Sequence, residues 1–366
     1  MNDISMESRL SQIGKAFRIE GSLSSFEEIK VGNVNRTYRL NYTRPGENKD
    51  KSYIVQRINT YAFKQPTLVM ENIDKVTEHI RKKCPDKQSL HFYHTADGKN
   101  YLEDDNGFWR MFNYVPSITY NSTDNLTVIR NAGQAFGDFQ MQLGDFDVSQ
   151  LNYTIPDFHD TRKRYAKFRA DASADPCGKA KEVQREIDWL LSVEDKACLL
   201  TDMLNRGELP LRVTHNDTKI NNVLFSESTN EALVVIDLDT VMPGLVGHDF
   251  GDAIRFAANY VDEDCRECEK AGVNMDVFRA FTEGFMGAVG GTLTDNEIDT
   301  LAMSSFALGC ELATRFLDDY LLGNPYFNID YPEHNLVRTK CQIALAQDML
   351  KKMDDMNRVV HEFANK

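Results

Sequence analysis

The sequence of 366 residues lacks any apolar run near the ~20 residues that a transmembrane helix needs. Its opening residues, MNDISMESRL, also lack the apolar segment of a secretory signal peptide. There is no excess of positive charge, because 42 basic residues stand against 56 acidic ones, a formal net charge of −14. Proteins that bind nucleic acids or membrane surfaces usually hold phosphates with a basic patch. We therefore expect a cytoplasmic protein with neither kind of partner.

Cysteine is also scarce, with seven residues scattered along the chain. An odd, scattered set fits reduced thiols in an intracellular protein better than a disulfide framework. Cys265-Arg-Glu-Cys268 has the spacing of a zinc or redox pair, but no second pair of this kind accompanies it. Its surroundings, DEDCRECEK, are strongly charged, and a metal or redox role is the less favoured interpretation.

The first part of the chain, up to about residue 114, has mostly β patterning. The segments 35–42 and 53–58 alternate polar and apolar residues on either side of a polar turn, which predicts a β-hairpin. Apolar residues then recur every three or four positions from Val69 to Ile80, which predicts one amphipathic helix. Short strands separated by Asp-Gly and Asn-Gly turns follow, beginning at His91-Phe-Tyr-His94.

From residue 115 onward the pattern is mostly helical, interrupted by two strand signals at 223–225 and 233–236. A chain of this length is also too long for one ordinary core. We therefore predict an α+β fold with a small antiparallel β-rich domain at 1–114 and a larger helical domain at 115–366.

Polar residues are concentrated directly before the first of these two strands, in the stretch THNDTKINNVLF. If the strands pair as a hairpin, with Phe225 opposite Val234, then Asn222 lies opposite Asp237. Directly opposed residues have Cβ atoms about 4.5–5.5 Å apart. An amide oxygen and a carboxylate are hard ligands that suit Mg²⁺. In this arrangement Asp217 would lie beside the metal as a base.

This order of residues resembles a known enzyme loop. His215-Asn-Asp-Thr-Lys-Ile-Asn-Asn222 is similar to the catalytic loop of protein kinases, and more so to that of aminoglycoside and choline kinases. The segments PLRVTHNDTK, IDLDTVMPG, DFGDAIRF and YPEHNLVR extend the likeness to the N-acetylhexosamine 1-kinases of that superfamily. Weaker similarity, in AFGDFQ and FHDT, carries it over most of the chain.

The resemblance implies a two-lobed kinase-like fold and transfer of a phosphoryl group from MgATP to the anomeric hydroxyl of N-acetylgalactosamine or N-acetylglucosamine. It gives Asp217 the task of accepting or orienting the sugar proton, and it places Lys219 near the γ-phosphate. Asn222 and Asp237 match the Mg²⁺ ligands. We expect His215 to support the loop by hydrogen bonds.

The nucleotide-binding part departs from the kinase pattern. A kinase usually holds the α- and β-phosphates with a lysine on the third strand. Here the expected position holds Gln56, with Arg57 beside it. Because adjacent strand residues face opposite sides, Arg57 replaces the lysine only if the strand shifts or bulges, and a solvated arginine is the equal alternative. Glu71 and Glu78, on the following helix, are candidates for the lysine's usual partner.

The resemblance also predicts the remaining ligand contacts. The hinge against which adenine lies is expected at Phe112, Asn113, Tyr114 and Val115. In the loop that replaces a glycine-rich phosphate loop, Asn33 and Asn35 are candidate donors to the substrate, although the loop has one glycine. Arg315 and Tyr326 are expected in the sugar pocket, with a surface salt bridge as the alternative for Arg315.

Two aspartates compete for the metal. Asp249-Phe-Gly251 matches the metal-binding motif of protein kinases letter for letter. The hairpin pairing favours Asp237 instead. We expect Asp249, with Asp252, to support the catalytic loop by accepting hydrogen bonds from backbone amides or from His215.

Three other functions stay open at this point. A two-metal hydrolase site would use the aspartates and histidines of this region, namely Asp237, Asp239, Asp249, Asp252, His215 and His248. A nucleotide-binding module without catalysis would explain the missing lysine. A kinase of another small hydroxylated substrate, such as an aminoglycoside or choline, should carry acidic residues to hold a cation.

Overall fold

The computed structural model describes residues 5–30, 34–46 and 49–365. The chain separates into two compact units. Unit 1 comprises Met1–Ser117, Ser149–Ile155 and Leu238–Val241, and unit 2 comprises Ile118–Val148, Pro156–Asp237 and Met242–Lys366. Two short segments distant in sequence therefore belong to unit 1.

Unit 1 is built on an antiparallel sheet whose five strands, in the described residues, are ordered β1-β2-β3-β5-β4. Its elements, in chain order, are α1 (Met6–Ala16), β1 (Ser22–Ile29), β2 (Arg36–Thr43), β3 (Lys51–Ile58), α2 (Pro66–Lys83), β4 (Leu102–Asp104) and β5 (Gly107–Asn113). The antiparallel sheet and the helix α2 confirm the prediction. The helix α1 was not predicted, and the predicted strand at His91–His94 is wrong, since only an isolated bridge joins Phe92 to Phe112.

The two faces of this sheet differ in chemistry because successive side chains of a strand point to opposite sides. One face packs against Leu10, Ile13 and Phe17 of α1 in a buried core. The sheet contributes the apolar residues Tyr38, Leu40, Tyr42, Tyr53, Val55, Trp109 and Met111. The other face carries the buried apolar residues Ile54, Ile58 and Phe108, and among them the polar residues Gln56 and Arg110, which are opposed in the β3–β5 ladder.

Unit 2 is mainly helical, as predicted. Its helices are α3 (Leu126–Gln142), α4 (Thr161–Ala174), α5 (Gln184–Ser192), α6 (Glu194–Ala197), α7 (Leu199–Asn205), α8 (Val246–Ala257), α9 (Met275–Val289), α10 (Asp295–Leu321) and α11 (His334–Ala364). Its strands form two short antiparallel pairs, β6 (Arg212–Thr214) with β9 (Met242–Gly244), and β7 (Val223–Phe225) with β8 (Ala232–Val235). The α+β fold class is thus confirmed.

Helix α3 lies unusually close to α9. A Cβ atom added at Gly133 would lie 2.2 Å from the carbonyl oxygen of Phe281, and one at Gly284 would lie 1.9 Å from that of Arg130. Only glycine permits this approach. The same helix α3 places Phe136 and Phe139 against the ring of His215, with ring centroids 5.8 and 5.9 Å away. The close helix pair therefore supports the loop described next.

Within the described residues, no helix has an apolar stretch long enough to cross a membrane.

Candidate active site

The predicted catalytic loop connects β6 to β7 in unit 2, and a buried carboxylate fixes its start. Asp249, in the first turn of α8, accepts hydrogen bonds from the backbone N–H groups of His215 (2.9 Å) and Asn216 (2.7 Å) and from the side chain of Gln140 (2.7 Å). Asn216 has a φ of 64°, a left-handed conformation that asparagine tolerates better than most residues. Burial raises the pKa of Asp249. The predicted support of the loop by Asp249 is confirmed.

A second carboxylate fixes the middle of the loop. Asp252 accepts a hydrogen bond of 3.0 Å from the backbone N–H of Thr218 and pairs with Arg255 at 2.8 Å. Burial raises the pKa of Asp252, but the charges of Arg255 and Lys219 outweigh it and hold that pKa below its usual value. The predicted role of Asp252 is therefore also confirmed.

His215 is fully buried beneath the loop. Its Nε2 lies 2.8 Å from the carbonyl oxygen of Ile236 and donates to it, while its Nδ1 accepts from the backbone N–H of Asp217 at 3.3 Å. Both ring nitrogens of a neutral imidazole are used in these bonds. The geometry therefore gives His215 a positioning role, as expected, and leaves no ring nitrogen for proton transfer.

Asp217 lies between two other predicted site residues. Its Oδ1 is 2.8 Å from the Nζ of Lys219. Its Oδ2 accepts from the Nδ2 of Asn222 at 3.1 Å, and that same nitrogen donates to the Asp217 carbonyl at 2.8 Å. The side chains of Asp217 and Lys219 are 28% and 38% exposed, so a small molecule can reach both. The loop thus brings together Asp217, Lys219 and Asn222.

The predicted register of the β7–β8 hairpin is wrong by one residue at its open end. Val223 pairs with Val235, and the backbone N–H of Ile236 donates to the carbonyl of Asn222 at 2.9 Å. Phe225 pairs with Ala232, two positions away from the predicted Val234, and the extra residue Leu233 in β8 recovers one of these two positions. Asn222 is therefore opposite Ile236 and not Asp237.

Asp237 follows the hairpin as an exposed residue with a φ of 61°. This left-handed conformation ends the strand, so the cross-strand argument for its pairing with Asn222 no longer holds. The family resemblance is the support that is left for Asp237 as a metal ligand.

No group of three or more His, Cys, Asp or Glu residues among those described is arranged to hold a metal ion. Four of the six ligands considered for a two-metal hydrolase have other tasks. Asp249 and His215 hold the loop, Asp252 pairs with Arg255, and Asp239 pairs with Arg110. The donor set therefore argues against a two-metal centre.

Arg57 does not take the place of the missing strand lysine. The β2–β3 and β3–β5 ladders run without a shift, so the bulge that this role required is absent from these ladders. Arg57 is exposed, on the opposite face from Gln56, with its guanidinium 5.8 Å from the ring centroid of Trp109. The regular alternation of the strand thus corrects the prediction that Arg57 binds nucleotide.

A cation that was not predicted lies on the Gln56 face. Arg110 on β5 donates from Nε to the Gln56 Oε1 at 2.8 Å and forms a buried ion pair through Nη1 with Asp239. The sequence offered one signal, a single charge within the apolar run Phe108-Trp-Arg-Met-Phe112, which is typical of a paired buried charge.

Glu71 and Glu78, the predicted partners of a cation at the usual lysine position, are engaged with other residues. Glu71 accepts from the side chain of Asn152 at 3.1 Å, and Glu78 pairs with Arg81 on its own helix. Neither contacts Arg110, whose carboxylate partner is Asp239. The expected role of Glu71 and Glu78 is therefore corrected.

Of the two loop asparagines, Asn33 lies outside the described residues. Asn35 donates from Nδ2 to Asp239 at 2.7 Å and accepts through Oδ1 from the backbone N–H of Asn59 at 3.0 Å. Both ends of its amide are thus engaged within unit 1. This arrangement gives Asn35 a structural task in place of the expected substrate contact.

The predicted hinge continues from β5. The ring of Phe112 lies 4.9 Å from that of Phe92, and Asn113 exchanges hydrogen bonds with the backbone of His91. The guanidinium of Arg39 lies 4.1 Å from the ring centroid of Tyr114. Val115 is buried. These contacts hold the segment against the sheet of unit 1.

The two predicted sugar-pocket residues lie together in unit 2. Burial and repulsion by Arg164 lower the pKa of Arg315, and interactions with Glu311 and Tyr326 partly offset this. Tyr326 is 74% exposed. Arg315 is not in a surface salt bridge, because its guanidinium packs 5.8 Å from the ring centroid of Phe158 and 5.4 Å from that of Phe327.

A buried polar cluster adjoins Arg315. His159 Nδ1 lies 3.0 Å from one oxygen of Glu311, and Thr161 donates to the other at 2.9 Å. Among the residues that the structure describes, the buried Nε2 of His159 and Nε of Arg164 have no hydrogen-bond partner. The charge of His159 contributes to the low pKa of Asp252, so the cluster lies within electrostatic range of the residues that support the catalytic loop.

Comparison with known proteins agrees with the fold. A model described as a phosphotransferase enzyme family matches residues 25–276. An aminoglycoside phosphotransferase from Alicyclobacillus acidocaldarius is similar in structure, with a TM-score of 0.61, 12% identity, and coverage of 95% of this chain and 96% of that chain. A Plasmodium vivax ethanolamine kinase has a TM-score of 0.57 at 12% identity, covering 92% and 86%.

A third similar structure is a spectinomycin phosphotransferase in complex with ADP and spectinomycin. Its TM-score is 0.50 at 14% identity, covering 97% of this chain and 96% of that chain. At these identities the likeness establishes the fold, and the kinase-like class that the sequence predicted is confirmed.

Proposed function

Since this chain belongs to the phosphotransferase enzyme family, we propose that it is a sugar 1-kinase. It transfers the γ-phosphoryl group of ATP to the anomeric hydroxyl of an N-acetylhexosamine, N-acetylgalactosamine or N-acetylglucosamine. The products are ADP and the sugar 1-phosphate. Residues 1–114 bind the nucleotide, and residues 115–366 carry the catalytic and sugar-binding groups.

The catalytic loop supplies the proton acceptor. Asp217 takes the proton of the anomeric hydroxyl, the sugar oxygen forms a bond to the γ-phosphorus, and the bond from that phosphorus to the β–γ bridging oxygen breaks. Lys219, 2.8 Å from Asp217, offers its charge to the transferring group. Phosphoryl transfer depends mostly on positioning and on neutralisation of phosphate charge. The support from Asp249 and Asp252 favours such a fixed loop.

The residues present fit Mg²⁺ bound with the nucleotide. The Nδ2 of Asn222 makes both bonds to Asp217, so its amide oxygen, the atom that binds Mg²⁺, is not used by them. With the Asp237 carboxylate it offers the small set of protein oxygens that Mg²⁺ takes beside phosphate oxygens. When bound, the ion supplies neutralisation of phosphate charge. Asp237→Asn should therefore raise the Mg²⁺ concentration needed for half-maximal ADP release, and an unchanged requirement would remove Asp237 as a ligand.

The observation that carries the acceptor class is the pair of arginines in unit 2. Arg164 donates to the carbonyl oxygen of Phe158 at 3.2 Å, and the guanidinium of Arg315 lies 5.8 Å from the ring centroid of the same residue, so two cations meet at this place. The carboxylate beside them, Glu311, is already engaged by His159 and Thr161. A cationic acceptor such as choline or an aminoglycoside is repelled there, whereas guanidinium N–H groups bind the oxygens of a neutral sugar.

A substrate panel tests this proposal. ADP release is measured with N-acetylgalactosamine, N-acetylglucosamine, their 1-O-methyl glycosides, choline, ethanolamine and an aminoglycoside. The free sugars should react, with the phosphate located at C1 by NMR, and the methyl glycosides should not. Equal turnover of a methyl glycoside would place the transfer at another hydroxyl. Preferred turnover of choline, ethanolamine or the aminoglycoside would establish the cationic alternative.

The reaction belongs in the cytoplasm, where ATP, Mg²⁺ and reduced thiols are found. The seven cysteines without a disulfide framework support this location. Cell fractionation with an antibody to the chain would check it, and recovery in a secreted fraction would count against it.

A further inference from the structure

The position of the usual kinase lysine is not left without a cation. Gln56 on β3 stands directly opposite Arg110 on β5. Side chains of an opposed pair share one face of the sheet, with Cβ atoms about 4.5–5.5 Å apart. A guanidinium from the neighbouring strand therefore occupies the part of the sheet where a kinase presents its lysine to phosphates.

The donors of Arg110 are incompletely used. Nε donates to Gln56 at 2.8 Å, and Nη1 is paired with Asp239. Nη2 has no hydrogen-bond partner within residues 5–30, 34–46 and 49–365. The side chain as a whole is only 2% exposed, but Nη2 is not among the buried unpaired nitrogens of the described residues, so this atom is open to solvent. An anionic acceptor can therefore reach the one unused nitrogen of a guanidinium that is otherwise buried.

Asp239 fixes the direction of this guanidinium. One of its oxygens pairs with Arg110, and the other accepts from the Nδ2 of Asn35 at 2.7 Å. The carboxylate is 3% exposed, and it neutralises a charge that could not otherwise stay buried. Asn35 is in turn tied to the backbone of Asn59. The ion pair is thus held on both sides before any ligand arrives.

We propose that Arg110 is a nucleotide-phosphate ligand of this protein, with Asp239 as its positioning carboxylate. Nη2 donates to the diphosphate oxygens of the nucleotide. The hydrogen bond from Nε to Gln56 orients the guanidinium so that Nη2 faces these oxygens. In this arrangement Arg110, on the neighbouring strand β5, takes the place of the usual lysine on β3. Asp239 takes the place of the glutamate that usually pairs with that lysine from a helix. This inference rests on the nucleotide half of the proposed function and is independent of the acceptor.

Nucleotide binding tests the inference. Dissociation constants of adenosine, AMP and ADP are measured by calorimetry, with Mg²⁺, for the full chain and for two variants. Arg110→Lys keeps a charge for Asp239 but has one nitrogen in place of a fork, so ADP affinity should fall about tenfold. Arg110→Met should weaken ADP by about 10- to 100-fold, since charge-assisted bonds to phosphate are lost. Adenosine affinity should change less than about twofold in both, because adenosine carries no phosphate.

A rescue variant and a matched control separate phosphate binding from structural support. Gln56→Lys added to Arg110→Met restores the usual lysine on β3 and should recover part of the ADP affinity. Arg57→Met, which removes the neighbouring cation on the opposite face, should leave all three constants unchanged. If Arg110→Met does not fold, Arg110→Lys decides the question alone.

Two results would overturn the inference. Equal losses for adenosine and ADP in Arg110→Lys would make Arg110 a structural residue only, and unchanged ADP affinity would remove it from the phosphate site. Failure of the sugar panel with the expected ADP results would reject the proposed acceptor and leave this inference intact.

Discussion

The loop between β6 and β7 in unit 2 and the Gln56–Arg110 pair on the sheet of unit 1 are each organised by a buried aspartate, but in different ways. Asp249 accepts from backbone amides, with His215 only 34 residues away in sequence. Asp239 pairs with the side chain of Arg110, 129 residues away. The first carboxylate holds a backbone shape, and the second holds a charge.

This difference bears on how far each region can vary in sequence. A loop whose backbone amides are held by Asp249 and Asp252 keeps its spacing when its other side chains change. On a sheet, two opposed residues of neighbouring strands, such as Gln56 and Arg110, reach the same place, so either position can supply a cation there.

The largest expected effect concerns the loop. Asp217→Asn keeps the size of the side chain but removes the proton acceptor, so kcat should fall by about 10²- to 10⁴-fold. ADP affinity should be nearly unchanged. Initial rates of ADP release and calorimetric titrations measure the two quantities. Asn221→Ala, on the same loop, is the matched control and should keep most of its activity. A normal kcat in Asp217→Asn would show that the proton acceptor lies elsewhere.

A smaller effect compares the two organising aspartates. Asp239→Ala leaves the buried charge of Arg110 without its carboxylate partner and should destabilise the fold by about 3–5 kcal/mol. Asp249→Ala leaves backbone amides unsatisfied, and a net loss of about 2–4 kcal/mol is expected, because the cost of burying the carboxylate is also removed. Urea unfolding measures both, with the exposed Asp105→Ala as control.

A second substitution sharpens the comparison. Arg110→Met should restore much of the stability lost in Asp239→Ala, since it removes the unpaired charge. No side-chain change can do this for Asp249→Ala, whose main partners are backbone N–H groups. If the double variant were less stable than Asp239→Ala alone, Asp239 would not stabilise the fold mainly through the charge of Arg110.

The smallest effect is a pH dependence in the buried polar cluster of Glu311, His159 and Thr161. Burial alone would raise the pKa of Glu311, but the charge and hydrogen bond of His159, with the charge of Arg315, lower it to about 2. A lowered carboxyl pKa stabilises the fold above the unfolded value of about 4.3, and this contribution is lost as the pH falls toward 2.

Between pH 7 and pH 3 the loss from this group should be roughly 2 kcal/mol. The free energy of unfolding is measured at both pH values for the wild type and for Glu311→Gln, which cannot titrate. The free energy of unfolding should fall less between pH 7 and pH 3 in Glu311→Gln than in the wild type. An equal difference would mean that Glu311 does not titrate with the lowered pKa.

Much of the architecture could be predicted because its signals are local. Apolar spacing predicted α2 and the helical character of unit 2, and alternation predicted the strands of the sheet. Asp217 and Asn222 were singled out by their spacing within one short stretch, whereas Lys219 came from the family resemblance. The support by Asp249 and Asp252 was expected because no strand fixes Asp249 beside the metal. These features depend on periods and turns, which a sequence displays directly.

Tertiary structure decided what depends on distant partners. Phe225 pairs with Ala232 and not with Val234, and a shift of this kind cannot be seen in the strand letters. Because the β3 ladder is regular, Arg57 lies on the opposite face of the sheet from Gln56. Arg110 lies on the Gln56 face, where it contacts Gln56 and Asp239. The sequence determined which elements form, because their causes are local. Only the packing of strands and segments far apart in the chain decided which charge faces which partner.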